Sequence, residues 1–179
     1  MAIVPPQCVP LDLGDLVLRA PVLADVPAIT AAFTDPALQL WSPPAAVTVE
    51  EWIEERADWS PGRRVGWVVS DPSGGPVLGS VSVRVDTAAD NGMIGYWTAP
   101  PARGRGVATR SVRAAARFAF DVVGLHRIEL AHAVENAASC RVAEVAGFTL
   151  EGTLREAYLY GDGRRHDEHL HARLRNDPL

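Results

Sequence analysis

The chain contains no lysine. All 17 of its basic residues are arginine, which excludes Schiff-base lysine chemistry and any phosphate loop that depends on Gly-Lys-Ser/Thr. Arginine enrichment alone names no function and fits a GC-rich coding bias. Only two cysteines, Cys8 and Cys140, occur in 179 residues, too few to staple a secreted fold. No apolar run approaches the roughly 18 residues that span a bilayer. The opening stretch MAIVPPQCVPLDLGD has neither the basic start nor the continuous apolar segment of a signal peptide. The expectation is a soluble cytoplasmic protein with no membrane partner.

What is present suits one folded domain. At 47% hydrophobic and 22% charged the chain can bury a core, so wholesale disorder is excluded. A net charge of −5 argues against direct, non-specific nucleic-acid binding. Residues 1–15, with Pro5, Pro6 and Pro10, read as an irregular arm, and residues 16–175 as a single domain.

Periodicity orders the elements. Leu16–Arg19 reads as a short strand. A helix follows over about Ala24–Thr34, with Pro36 stopping it, and Trp41–Ala46 reads as loop. Thr48 with Glu51 has capping-box spacing and starts a helix running to about Asp58. Val65–Val69, Val77–Val85 and Met93–Thr98 read as strands of an antiparallel meander, with Val77, Gly79, Val81, Val83 and Val85 on one face. A helix over Ala108–Val123 carries a buried stripe of Val112, Ala116, Ala119 and Val123. Then come a strand at Arg127–Val134, a short helix at Ala137–Ala146, and strands at Phe148–Ala157 and His166–Arg173. This order gives a mixed α/β domain with a parallel segment at its centre.

The most informative stretch is Pro100-Pro101-Ala102-Arg103-Gly104-Arg105-Gly106-Val107-Ala108-Thr109, which leaves a strand and opens a helix. Its glycines allow a sharp turn and close approach of a ligand to the backbone. Unpaired N–H groups and the positive dipole end of a helix suit a pyrophosphate there, and Arg103 and Arg105 add bidentate donors. On spacing alone a solvated glycine turn explains the string equally well. An RGG-type RNA contact is disfavoured by the single copy.

Arg103-x-x-Gly106-x-Ala108 resembles the acetyl-CoA pyrophosphate loop of the GNAT acetyltransferases, whose pattern is Gln/Arg-x-x-Gly-x-Gly/Ala. Ile94-Gly95-Tyr96-Trp97 is similar to the preceding strand in the RimJ/RimL branch, which acetylates ribosomal-protein N-termini. Asn136-Ala137-Ala138-Ser139, Ala146-Gly147-Phe148, Gly152-Thr153-Leu154-Arg155-Glu156 and Asp162-Gly163-Arg164-Arg165 with Asp167 continue the likeness in order, over about residues 15–175. The resemblance implies an α/β fold of α-β-α layers: a mostly antiparallel sheet with a central, splayed parallel pair, flanked by helices.

It also implies roles. The backbone of Trp97, Thr98 and Ala99 would pair with the pantetheine arm of acetyl-CoA, the cosubstrate, and amides from Arg103, Gly104, Arg105, Gly106, Val107, Ala108 and Thr109 would hold the pyrophosphate. Asn136 would hydrogen-bond pantetheine, cap a helix, or both. Ser139 would protonate the leaving thiolate, against a plain reading as a polar first-turn residue. The tyrosine that many relatives use falls at Ala143, and the glutamate that often serves as base falls at Met93. Glu50, Glu51, Asp86, Glu129 and Glu135 are carboxylates in reach through water at best, and none is singled out as base.

The missing base bears on the acceptor. A protein α-amine, pKa about 7.7–8.0, is partly neutral near pH 7, whereas a lysine amine near 10.4 needs about 3.5 kcal/mol more to deprotonate. A protein N-terminus is therefore the favoured acceptor. Alternatives are a small-molecule amine and a silent CoA-binding sensor or interaction module, and a homodimer is an open partner state. One or two of Trp41, Trp52, Trp59 and Trp67 are expected to line the acceptor cleft. His166-Asp167-Glu168-His169-Leu170-His171 lacks zinc-helix spacing, although Asp167, His169 and His171 share one strand face, and no metal is expected. Cys140 has no histidine beside it in sequence, which disfavours an acyl-cysteine route.

Overall fold

The computed structural model describes residues 2–43 and 47–178. Eight strands form one sheet: β1 (Leu11–Asp12), β2 (Val17–Arg19), β3 (Arg64–Ser70), β4 (Gly79–Asp86), β5 (Asn91–Thr98), β6 (Arg127–Ala133), β7 (Thr149–Leu159) and β8 (Arg165–Leu174). Their order across the sheet is β1-β2-β3-β4-β5-β6-β8-β7. Every neighbouring pair is antiparallel except β5 and β6, which are parallel. Among the described residues the α-helices are α1 (Val26–Phe33), α2 (Pro36–Trp41), α3 (Val49–Ala57), α4 (Val107–Phe118) and α5 (Ala137–Val145). The parallel segment at the centre of a mixed α/β domain is as the element order predicts, and the mostly antiparallel, helix-flanked sheet is as the resemblance implies.

The two faces bury different cores. On one, α4 lays Val112, Ala115 and Ala116 over Val65, Trp67, Val81, Val83 and Ile94. Val112, Ala116, Ala119 and Val123 are all buried, as their spacing predicts. The helical path itself changes: after Phe118 it widens into one π turn, Ala119–Val123, which ends at Gly124 with φ 91°. On the other face α1 and α3 bring Ile29, Trp52 and Ile53 onto Val68 and Val77. β3 therefore runs buried on both sides, which is why its central residues are an unbroken apolar run.

The capping box of α3 forms as its sequence predicts. The Thr48 hydroxyl accepts from the Glu51 N–H at 3.2 Å and the Glu51 carboxylate accepts from the Thr48 N–H at 2.8 Å. Pro36 needs correction. It does not close α1 onto a loop but opens α2, because Asp35 caps that helix by accepting from the Leu38 N–H at 2.9 Å and proline suits the first helical position. Trp41 thus ends a helix rather than starting a loop. Residues 44–46 of that expected loop lie outside the described residues.

The N-terminal segment is bound to the domain. Leu11–Asp12 pairs with β2, Ala2 is buried, and the Ile3 N–H donates to the Val123 carbonyl at 2.8 Å. Among the described residues, no helix is long and apolar enough to cross a membrane.

Candidate active site

β5 and β6 are in register at only three positions, Asn91–Arg127, Gly92–Ile128 and Met93–Glu129. Beyond Met93 the strands part. β5 continues to Thr98 on the support of β4, and β6 continues to Ala133 on the support of β8. The unpaired edges Ile94–Thr98 and Leu130–Ala133 are thus the two walls of a wedge opening in the middle of a sheet. Backbone groups on such walls require an outside partner or water.

The parity of β5 decides which groups face the wedge. The Ala99 N–H donates to the Leu78 carbonyl at 2.9 Å. An antiparallel ladder alternates, and the β4–β5 register has no shift, so Trp97 turns its main chain toward β4 as Ala99 does. Ile94, Tyr96 and Thr98 turn theirs toward the wedge. Of the expected trio, only Thr98 has the parity to pair with an extended ligand; Trp97 and Ala99 do not. Gly79 makes the approach of the two strands possible here, since a Cβ on it would lie 2.5 Å from the Trp97 carbonyl oxygen.

The wedge opens into a cleft of about 730 Å³ that is walled by Tyr96, Trp97 and Thr98 of β5, by the loop ahead of α4, by the first turns of α4 and α5, and by α2. Gly104 and Gly106 both have φ 72°, and a Cβ on either would meet nothing within 4 Å. Their left-handed backbone is what the turn requires. Gly106 caps α4, so the amides of Val107, Ala108 and Thr109 form a first helical turn with no preceding carbonyl to bond, at a positive dipole end. These three residues, with Arg103, Gly104, Gly106 and Asn136, line the cleft; Arg105 and Ala99 do not. Arg103 is already engaged, since its guanidinium grips the Asp35 carboxylate with both terminal nitrogens. That contact ties the loop to the cap of α2, and Arg103 holds the Asp35 carboxyl below its ordinary range.

Ser139 is placed by Asn136. The Asn136 side chain caps α5, its amide oxygen accepting from the Ser139 N–H at 3.1 Å. The cap reading of Asn136 is therefore met. Facing Ser139 is a residue whose side chain the sequence did not single out, Tyr96. Its hydroxyl is buried without a hydrogen-bond partner among the described residues. Burial pushes this phenol up to about 12, against a smaller downward pull from the Ser139 hydroxyl. The two hydroxyls are neighbours that have not closed a hydrogen bond.

Among the described residues, no aspartate, glutamate or histidine lines the cleft. Glu51 is spent in its capping box. Asp86 accepts from the Ala88 N–H in its own turn, Glu129 pairs with Arg127 at 3.0 Å, and Glu135 pairs with His166 at 3.2 Å. Glu50 stands exposed on α3. Met93, where relatives often carry the base, sits at the closed end of the wedge and receives the Arg84 guanidinium. Of the four early tryptophans only Trp41 lines the cleft; Trp52, Trp59 and Trp67 are core.

A parallel pair that parts beside a glycine-turned helix N-terminus defines a class of proteins built to admit an extended ligand with an anionic head. The particular family follows from comparison with known proteins: the acetyltransferase (GNAT) domain matches residues 15–149, and the chain belongs to that family. It is 32% identical over 120 residues to the "Putative ribosomal N-acetyltransferase YdaF" of Bacillus subtilis (strain 168), a match spanning 66% of this chain and 62% of that protein's length. Mycobacterium smegmatis RimJ, solved in complex with CoA-disulfide, superposes with a TM-score of 0.78 at 28% identity over 96% of this chain and 86% of its own. The ribosomal-protein-S5-alanine acetyltransferase of Vibrio fischeri has a TM-score of 0.80 at 22% identity, covering 94% and 98%, and shows the fold.

Proposed function

We propose that this protein transfers the acetyl group of acetyl-CoA to an amine, with protein N-terminal α-amines as the favoured acceptors. The observation that carries the reading is the wedge between β5 and β6 together with the glycine-turned start of α4. The amides of Val107, Ala108 and Thr109 hold the pyrophosphate. The wedge-facing main chain of Thr98 and Tyr96 pairs with the pantetheine arm, and an N–H on that wall polarises the thioester carbonyl and stabilises the oxyanion.

Transfer is direct. The neutral amine attacks the thioester carbon, the carbon–sulfur bond breaks, and the amine's surplus proton passes to solvent. Ser139 gives its proton to the departing thiolate, and Tyr96 stands where it can return one to Ser139. An acyl-cysteine intermediate is not supported, because burial, first, and the Glu144 carboxylate both raise the Cys140 thiol pKa. A cleft without a carboxylate or imidazole favours an acceptor that is already partly neutral at pH 7, which an α-amine is and a lysine side chain is not.

The cofactor half of this reading is tested by thermal unfolding with acetyl-CoA, free CoA and ATP. A ligand at 100 times its Kd adds about 2.7 kcal/mol. A rise in Tm with acetyl-CoA and CoA but not with ATP is expected. No rise at millimolar acetyl-CoA would reduce the loop to a turn.

A further inference from the structure

Four metal-ligating side chains meet behind the cleft, outside the residues that line it. His132 stands on β6, His169 and His171 on β8, and Cys140 on α5. In the β6–β8 ladder His132 faces His169, and Leu130 faces His171. The three imidazoles therefore project from one face of the sheet. α5 packs beside β6 and brings Cys140 to the same spot. One ligand atom from each residue lies within 4.8 Å of every other. His132 and His171 are almost fully buried.

The hydrogen bonds of these rings pose a problem that a cation solves. The His132 Nδ1 is 2.8 Å from the Ala133 carbonyl oxygen and the His171 Nδ1 is 3.4 Å from the Phe148 carbonyl oxygen. The Ala133 carbonyl at 2.8 Å calls for an N–H, so the His132 ring carries its proton on Nδ1 and turns a bare Nε2 lone pair on the His171 Nε2, 3.2 Å away. A His171 proton on Nδ1 would set two lone pairs against each other there; a proton on Nε2 would satisfy that contact and leave a bare Nδ1 facing the Phe148 carbonyl. The remaining ring, His169, has its Nδ1 buried with no partner among the described residues.

We propose that His132, His169, His171 and Cys140 bind one divalent transition metal of borderline softness, with Zn²⁺ the expected ion. In a tetrahedral zinc site with Zn–N of about 2.0–2.1 Å, two histidine nitrogens stand about 3.3–3.4 Å apart, close to the spacing of the His132 and His171 Nε2 atoms. A Cys-His₃ donor set is neutral-plus-thiolate and suits Zn²⁺ over Mg²⁺ or Ca²⁺, which take oxygen ligands. The carbonyls of Ala133 and Phe148 serve as the outer hydrogen-bond partners that fix the ligating tautomer. Asp167, which shares the β8 face, is not part of the group: it accepts from the Glu156 N–H at 2.8 Å. The ion is structural. It would staple α5, the helix that carries Asn136 and Ser139, to the outer wall of the wedge, and no step of acetyl transfer passes through it.

The test is metal binding by the untagged full chain, freed of metal by a chelator and titrated with Co²⁺ and then Zn²⁺. One Co²⁺ per chain is expected, with tetrahedral visible bands and a thiolate-to-cobalt charge-transfer band that one equivalent of Zn²⁺ erases. Cys140→Ser, a change at a half-buried position, should abolish the charge-transfer band and weaken Zn²⁺ binding at least tenfold. His169→Asn should weaken it similarly, with folding checked by circular dichroism. Absence of stoichiometric binding would overturn the proposal. So would wild-type affinity in both variants, which would mark any bound metal as adventitious, the buried rings then sharing a proton. Zn²⁺ should also raise Tm more in the wild type than in Cys140→Ser.

Discussion

Asp35 joins two parts of the site with one carboxylate. It caps α2 through the Leu38 N–H and grips the Arg103 guanidinium with both oxygens, so the helix over the mouth of the cleft and the loop ahead of α4 share a fastening. Asp35→Ala should cost about 1 kcal/mol through the lost cap, read as a drop of about 2–4 °C in Tm for a chain of this size. It also releases Arg103. In a double-mutant cycle with Arg103→Ala the two Tm losses should fall short of adding, and strict additivity would mean that the contact couples nothing.

Gly104 and Gly106 hold the left-handed turns of the loop ahead of α4 that we propose binds the pyrophosphate. Alanine at either should cost about 1–2 kcal/mol, since a Cβ is strained there even with open space around it. The same changes should raise the KM for acetyl-CoA more than that for the acceptor. Equal effects on both would separate the loop from the cofactor.

Ser139→Ala should lower kcat by about 10²-fold while leaving the KM for acetyl-CoA near its wild-type value, as expected for loss of an acid acting in the transition state. Tyr96→Phe should produce a smaller loss of kcat, and almost no further loss when combined with Ser139→Ala. If Tyr96→Phe alone were the more damaging change, the phenol rather than the serine would be the donor.

Stability should depend on pH through the pair of buried Asp25 and half-buried Arg19, which lie 2.8 Å apart. Burial raises the Asp25 carboxyl, but the Arg19 guanidinium and the Val22 N–H together outweigh it and leave the pKa lowered. A carboxyl depressed in the folded state stabilises fully above its unfolded pKa of about 3.9, and the contribution is lost as pH falls through the folded value. Asp25→Asn should thus cost about 1–3 kcal/mol at pH 7, with the gap to wild type closing below pH of about 4. A gap that stays constant down to pH of about 2 would assign the loss to packing rather than charge.

What the sequence made legible was mostly local. The Thr48–Glu51 box and the stripe on α4 depend on residues three and four apart, and both form as their spacing predicts. The glycine turn ahead of α4 was legible for the same reason. Pro36 was misread because proline marks the start of a helix as well as the end of one, and the deciding contact is the Asp35 cap. Which way the main chain of Trp97 and Ala99 turns is not legible in the sequence, because strand parity depends on which β4 residue faces which β5 residue. Tyr96 against Ser139, and His132 against His171, join elements distant in the chain, and no spacing in the sequence encodes their meeting.

The account stands or falls most directly on which amine is acetylated. Purified protein, acetyl-CoA and three acceptors should be compared while released thiol is followed: a peptide with a free N-terminus and no lysine, the same peptide N-terminally blocked but carrying a lysine, and a polyamine. Mass spectrometry of the products then locates the new acetyl group. The account predicts turnover of the free-N-terminus peptide, with modification at its α-amine and a rate that climbs through the α-amine pKa of about 7.7–8.0. Efficient acetylation of the lysine or the polyamine with the α-amine untouched would contradict it.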